Sequence, residues 1–275
     1  MPDKLPLPNL RVGLAGLGAV GLEVARRLID GAVPGLTLTA VAVRDADKAR
    51  RNLPQIGDMI ALRTPTALAE DCDVVVECLP PALFREVAIA AIDRGRIFMP
   101  LSVAQLLDNW DLIERAKQKH ARILPPTGAL LGLDAVRAVA EGEIHSIKMI
   151  TRKPPGGLEG APYLVENKIS VANLKAPLKV FDGTAREGAR GFPTNVNVAA
   201  ALSLAGIGPD RTKLEIWADP ALTRNTHRIE VDSDVARFTM SIEGVPSENP
   251  RTGRIVPLST IAALRALVSE FKVGS

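Results

Sequence analysis

Apolar runs alternate with amphipathic stretches through the first 125 residues. Leu10–Ala15 is apolar apart from Arg11, and Gly16-Leu-Gly-Ala-Val-Gly21 follows it. Val20, Val24 and Leu28 then recur every fourth residue, which predicts a helix over 19–30 that Gly31, Pro34 and Gly35 stop. Leu36–Val43 reads as a buried strand, and an arginine-bearing helix follows it. Cys72–Leu79 predicts another buried strand, Pro80-Pro81 a loop, and 82–94 a helix. Arg96–Leu101 predicts a further strand, Ser102 caps a helix through about Lys119, and Ala121–Leu124 is a last short strand. This alternation predicts a Rossmann-type doubly wound parallel sheet over residues 1–125.

After Pro125-Pro126 the texture changes. Thr127-Gly-Ala opens a predicted helix to Ala140, and Ile144–Thr151 predicts a strand before the loop at 154–157. Strand-like runs recur at Leu178–Phe181, Lys213–Trp217, Arg228–Val231 and Ala236–Ile242, and the turn at 232–234 joins the last two as a hairpin. Residues 126–255 therefore read as a second, α+β domain with an open mixed sheet. Ile261, Leu264, Val268 and Phe271 form one stripe, so a C-terminal helix over about 256–272 is expected to pack back on the first domain.

At 275 residues the chain can build two modest cores. Its 47% hydrophobic and 24% charged residues suit a globular protein. Aromatics are only 3%, and the net charge of +3 is spread along the chain, so no nucleic-acid partner is expected. No run reaches membrane-spanning length and the start lacks a signal-peptide apolar core, so a cytoplasmic protein without a membrane partner is expected. Cys72 and Cys78 lie too far apart on an extended chain for a disulfide, so both are expected as reduced thiols. With His120, His145 and His227 scattered, no metal site is expected.

The glycine run supplies the first chemistry. Gly16 permits a tight turn, Gly18 lets backbone approach a pyrophosphate, and Gly21 allows close packing. Free N–H groups at Ala19 and Val20 and the helix dipole would then face the phosphates. At the end of the next strand an acidic residue would hold ribose hydroxyls and an arginine a 2′-phosphate. Arg44 precedes Asp45 there, so NAD or NADP remains open, and Arg44 has an ordinary surface reading as well. Leu79 and Pro80 stand where a strand-end loop lines the nicotinamide ribose.

His227 is the best acid/base candidate, because it lies in the polar, turn-rich segment Ala218–His227, read as a loop between two strands, and imidazole titrates near neutral pH. A purely structural histidine is the competing reading. Asn195 and Asn197 either cap a helix or bond cofactor or substrate, and Arg152-Lys153 is either a solvated strand end or a carboxylate clamp. Tyr163 has Lys168 one residue too far along for a Tyr-x-x-x-Lys pair.

Together with the glycine turn, the stretches Thr127–Asp134, Thr151–Pro155, Ala185-Arg-Glu, Phe192–Ala199, Ala218-Asp-Pro220, Arg224-Asn-Thr-His227 and Ser247–Pro250 make the chain resemble the L-aspartate dehydrogenase family. Thr127 stands where the family usually has serine. The resemblance implies that His227 is catalytic, that Ala129 and Asn197 contact the nicotinamide cofactor, and that the protein is a homodimer built on the second domain. It also implies oxidation of a small dicarboxylic amino acid, L-aspartate, through iminoaspartate to oxaloacetate and ammonium, feeding NAD synthesis. Alternative readings are a related reductase of the homoserine or dihydropicolinate type, or a dinucleotide-binding sensor without turnover.

Overall fold

Short buried β-prone runs and the helices between them build a parallel sheet in the N-terminal part of the chain. In order these are β1 (Leu10–Ala15), α1 (Ala19–Ile29), β2 (Leu36–Ala42), α2 (Ala46–Asn52), β3 (Ala61–Arg63), β4 (Val74–Glu77), α3 (Phe84–Asp93), β5 (Ile97–Pro100), α4 (Asp111–Gln118) and β6 (Arg122–Ile123). The sheet order is β3-β2-β1-β4-β5-β6, so the chain reverses its direction of travel between β1 and β4. Such a reversal is where open α/β sheets bind ligands, beyond the carboxyl ends of the strands. The computed structural model describes residues 9–193, 196–245 and 253–274. The chain divides into two units, one running to Pro126 and resuming at Pro257, the other spanning Thr127–Val256.

The core of the first unit gathers Val12, Leu14, Val24, Leu28, Val41 and Met99, together with Ile261, Leu264 and Val268 from the C-terminal segment. Leu264 is fully buried, so its truncation to alanine should cost about 2–5 kcal/mol. The Arg265 guanidinium also donates to the Ala32 carbonyl at 2.5 Å. Phe271 departs from the expected stripe: it is 78% exposed and lies beyond the helix that ends at Arg265.

Two expected helices are broken. Residues 102–119 form a 3-10 turn (Val103–Leu107) and then α4, because Ser102 spends its hydroxyl on Glu77 and Asn109 donates to the Gln105 carbonyl. The expected helix from Thr127 starts only at Leu133, since Gly128 and Gly132 hold φ of +68° and +64°, outside the helical region. The expected Cys72–Leu79 strand shrinks to Val74–Glu77, and β3 is a further short strand of three residues that the sequence pattern does not predict.

The second unit contains α5 (Leu133–Val139), β7 (Ile144–Lys153), α6 (Pro162–Glu166), β8 (Leu178–Thr184), α7 (Ala185–Gly191), α8 (Asn197–Ala205), β9 (Lys213–Ala218), β10 (Asn225–Ser233) and β11 (Arg237–Gly244), and α9 (Ile255–Arg265) crosses into the first unit. Its sheet runs β11-β10-β7-β9-β8, parallel between β7 and β9 and antiparallel elsewhere, an open mixed sheet. Thr184 and Glu187 form a reciprocal capping box at the start of α7. No helix among the described residues is long and apolar enough to cross a membrane.

Candidate active site

The glycine turn closes against the end of β4. Gly16 holds φ of +102°, and a Cβ there would stand 2.7 Å from the Cys78 carbonyl oxygen and 3.3 Å from Leu79 Cδ2. At Gly21 a Cβ would meet the Gly16 carbonyl oxygen at 2.1 Å, so only glycine lets α1 begin so close to the turn. A Cβ at Gly18 would meet nothing within 4 Å, which leaves that side of the turn open. Gly18 is also the N-cap of α1, no side chain caps the helix, and its first turn carries no acid. Ala19, Val20 and Gly21 thus head a helix whose own first turn supplies neither an acid nor a side-chain cap, an arrangement that fits a pyrophosphate.

The ends of β2 and β4 carry the other sequence-predicted residues of this unit. Asp45 accepts the Lys48 N–H at 2.9 Å and so caps α2, while Arg44 before it is exposed. Leu79 is half-buried and Pro80 exposed. Cys72 and Cys78 are both free. Burial pushes the Cys72 thiol up to about 12 and raises Cys78 as well, so neither is a ready nucleophile.

In the second unit His227 is not a loop residue. It lies inside β10, opposite Thr151 of β7 and Ile242 of β11, and is 4% exposed. The pairing extends β10 back to Asn225 and draws the histidine onto the inward face with Ile229 and Val231. Its Nδ1 lies 3.1 Å from the Thr151 hydroxyl, and both side chains are buried. Burial, and secondarily the Lys153 ammonium, depress the imidazole from 6.5 to about 3. Lys153 is 4% exposed, and burial lowers its ammonium to about 8.

Strand alternation separates the two candidate cations. Thr151 and Lys153 point inward, whereas Arg152 points to the other face of the sheet. There its guanidinium lies 4.8 Å from the Trp217 ring centroid and 3.4 Å from Asp219 Oδ2. Asp219 is itself buried: its Oδ1 accepts the Ala221 N–H at 3.1 Å and its N–H donates to the Lys153 carbonyl at 2.8 Å, so it shapes the turn that leads into β10.

Asn197 is the first residue of α8, whose N-cap is Val196, so it does not cap the helix in the expected way. Asn195 lies outside the described residues. Ala129 sits half-buried in the turn after Gly128. Sequence reasoning gave no role to Thr151, Asp219 or Glu77. Thr151 shares the strand parity of Lys153, but only the register of β7 against β10 reveals that it faces His227. An acid closing an apolar run was the available signal for Glu77. Among the described residues no group of three His, Cys, Asp or Glu could hold a metal ion.

The family model "Aspartate dehydrogenase, C-terminal" matches residues 134–267, and "Homoserine dehydrogenase, NAD binding domain" matches residues 16–126. An L-aspartate dehydrogenase of Bradyrhizobium diazoefficiens is 52% identical over 275 residues, covering 100% of this chain and 98% of that protein. L-aspartate dehydrogenase 3 of Bordetella bronchiseptica is 47% identical, covering 97% of this chain and 98% of that protein. Among solved structures, an aspartate dehydrogenase from Thermotoga maritima superimposes with a TM-score of 0.73 at 23% identity, covering 96% of this chain and 99% of that one, a likeness of fold. With a dinucleotide-type glycine turn in one unit and similarity to these relatives along nearly its whole length, the chain belongs to the L-aspartate dehydrogenase family of NAD(P)-dependent amino-acid dehydrogenases.

Proposed function

We propose that the protein oxidises L-aspartate to oxaloacetate and ammonium through iminoaspartate, with His227 as general base and acid and Lys153 as the cation for one substrate carboxylate. The observation that carries this reading is the buried Thr151–His227 pair with Lys153 on the same face of the sheet. Arg152 is left out of the clamp, because its guanidinium is engaged on the opposite face by Trp217 and Asp219.

The turn at Gly16, Gly18 and Gly21, with Ala19 and Val20, would hold the cofactor phosphates, while Leu79, Pro80, Ala129 and Asn197 are read as contacts to its nicotinamide end. When bound, the oxidised nicotinamide supplies the acceptor for the hydride that leaves the substrate Cα. Lys153 fixes one end of the substrate, which turns orientation into rate. The neutral amine of aspartate becomes an iminium once the Cα–H bond is broken. His227, in the tautomer that donates Nδ1–H to the Thr151 oxygen, keeps an Nε2 lone pair for the attacking water. It takes the water proton as the C–O bond forms and returns it to nitrogen, then takes the hydroxyl proton as the C=O bond forms, the C–N bond breaks and ammonia leaves, to become ammonium in water. The bound dicarboxylate brings negative charge into a low-dielectric site, which lifts the imidazole from its depressed resting value toward the working range.

We further read the protein as a homodimer whose product feeds NAD biosynthesis, as the family resemblance implies, and the free thiols Cys72 and Cys78 support a reducing, cytoplasmic setting. The direct test is absorbance at the reduced-nicotinamide band with L-aspartate, D-aspartate, glutamate and homoserine, each with NAD and NADP. Turnover should be confined to L-aspartate, and His227→Ala should lower it by about 10²–10⁴-fold. Cofactor binding without turnover on any of these substrates would instead support the sensor reading.

A further inference from the structure

Glu77, the last residue of β4, is a fully buried carboxylate set between Ala15 of β1 and Pro100 of β5. Its Oε1 accepts the Leu79 N–H at 2.8 Å and the Ser102 hydroxyl at 3.1 Å, and its Oε2 accepts the Ser102 N–H at 3.1 Å. The Glu77 carbonyl takes the Leu101 N–H at 3.0 Å. One side chain therefore ties the segment leaving β4 to the segment leaving β5. Burial raises its pKa despite these donors, so the site pays for keeping an acid where an apolar residue would be cheaper to bury.

The place explains the cost. Cys78 donates its N–H to the Ala15 carbonyl at 2.8 Å, and the Gly16 turn abuts the Cys78 carbonyl and the Leu79 side chain. Both tied segments leave the carboxyl ends of strands on the β4 side of the point where the sheet order reverses. A peptide N–H that already has a carboxylate partner is not free to turn, so Leu79 and Ser102 are set before any ligand arrives.

We propose that Glu77 is a positioning residue of the dinucleotide site. Its carboxylate clamps the Cys78–Pro80 segment through the Leu79 N–H, and the segment after β5 through Ser102, in the arrangement against which the glycine turn takes the cofactor. The proposal rests on the assignment of an NAD(P) site to this unit, and wild-type titration tests that assignment separately.

The test uses Glu77→Gln, nearly isosteric but with an amide N–H₂ where one oxygen must accept, and Ser102→Ala, which removes only the hydroxyl. NADH and NADPH are titrated by nucleotide fluorescence well below the melting temperature of each protein, and kinetics are recorded with aspartate at saturating cofactor. Glu77→Gln should weaken reduced-cofactor binding by about tenfold or more, and Ser102→Ala by about threefold, with the aspartate KM at saturating cofactor within about twofold of wild type. The double variant should be no weaker than Glu77→Gln alone, since both act on one network. A purely structural role would lower the melting temperature and leave the cofactor Kd of the folded protein unchanged, and that result overturns the proposal. If Glu77→Gln does not fold, Ser102→Ala decides by itself: an unchanged Kd refutes the clamp. Failure of the wild-type protein to bind either nucleotide would overturn the NAD(P) site itself.

Discussion

Replacing Lys153 with methionine should make the protein more stable and less active at once. The side chain is 4% exposed, and burial lowers its ammonium from 10.5 to about 8. Below pH 8 the amine is charged in both folded and unfolded chains, so the folded state carries the full burial penalty. Between pH 8 and 10.5 the unfolded chain binds more protons than the folded one, so wild-type stability climbs with pH. Above 10.5 the amine is neutral in both states and the penalty is gone. A depression of this size corresponds to about 3 kcal/mol, and contacts that the ammonium makes in the folded state reduce the net gain to about 1–3 kcal/mol. Methionine keeps the length and the apolar stem without the charge. Urea unfolding at pH 7 should therefore show Lys153→Met more stable by that amount, with the difference closing by about pH 10.5. Steady-state assays should show the KM for L-aspartate raised by about tenfold or more, since a charge-assisted bond to a carboxylate is lost. A variant that is destabilised at pH 7, or that keeps the wild-type aspartate KM, would refute the assignment of Lys153 as a strained binding cation rather than a structural one.

Thr151→Val keeps the shape but removes the hydroxyl that faces His227 Nδ1; kcat should fall by about tenfold and stability by about 1–3 kcal/mol, read from turnover and chemical unfolding. His227 is depressed from 6.5 to about 3 by burial and then by Lys153, so across that window the unfolded chain binds the extra proton. Stability should accordingly drop as pH falls from 6.5 toward 3, by up to about 5 kcal/mol, and His227→Gln should flatten this slope in unfolding experiments run at several pH values. Arg44→Ala should raise the KM for NADP by about tenfold while leaving NAD within about twofold, because only the former brings a 2′-phosphate to the end of β2; equal effects on both cofactors would return Arg44 to a plain surface residue.

Much of the first unit could be read directly along the chain. Its central parallel strands are mostly buried and appear as apolar-rich runs, most completely in Val74–Glu77, and its glycine turn is a local device whose spacing carries its own meaning. Where local reading failed, a side chain had found a better partner elsewhere or a glycine had left helical space. Ser102 turned from capping a helix to bonding Glu77, and Gly128 and Gly132 delayed α5. Phe271 matched the helical stripe in sequence but lies past the end of α9.

The second unit shows the boundary most clearly. Sequence alone determined that His227 was the candidate base, that Arg152 and Lys153 were the candidate cations, and that a strand ended beside them. It could not tell one cation from the other, nor place the histidine in a strand rather than a loop. Those answers depend on strand register, a long-range quantity: pairing β10 with β7 sets His227 opposite Thr151, buries it, and turns Lys153 toward it while Arg152 turns away. The residue types were written in the chain. Their shared face, and the burial that depresses both His227 and Lys153, came only from the sheet that holds them.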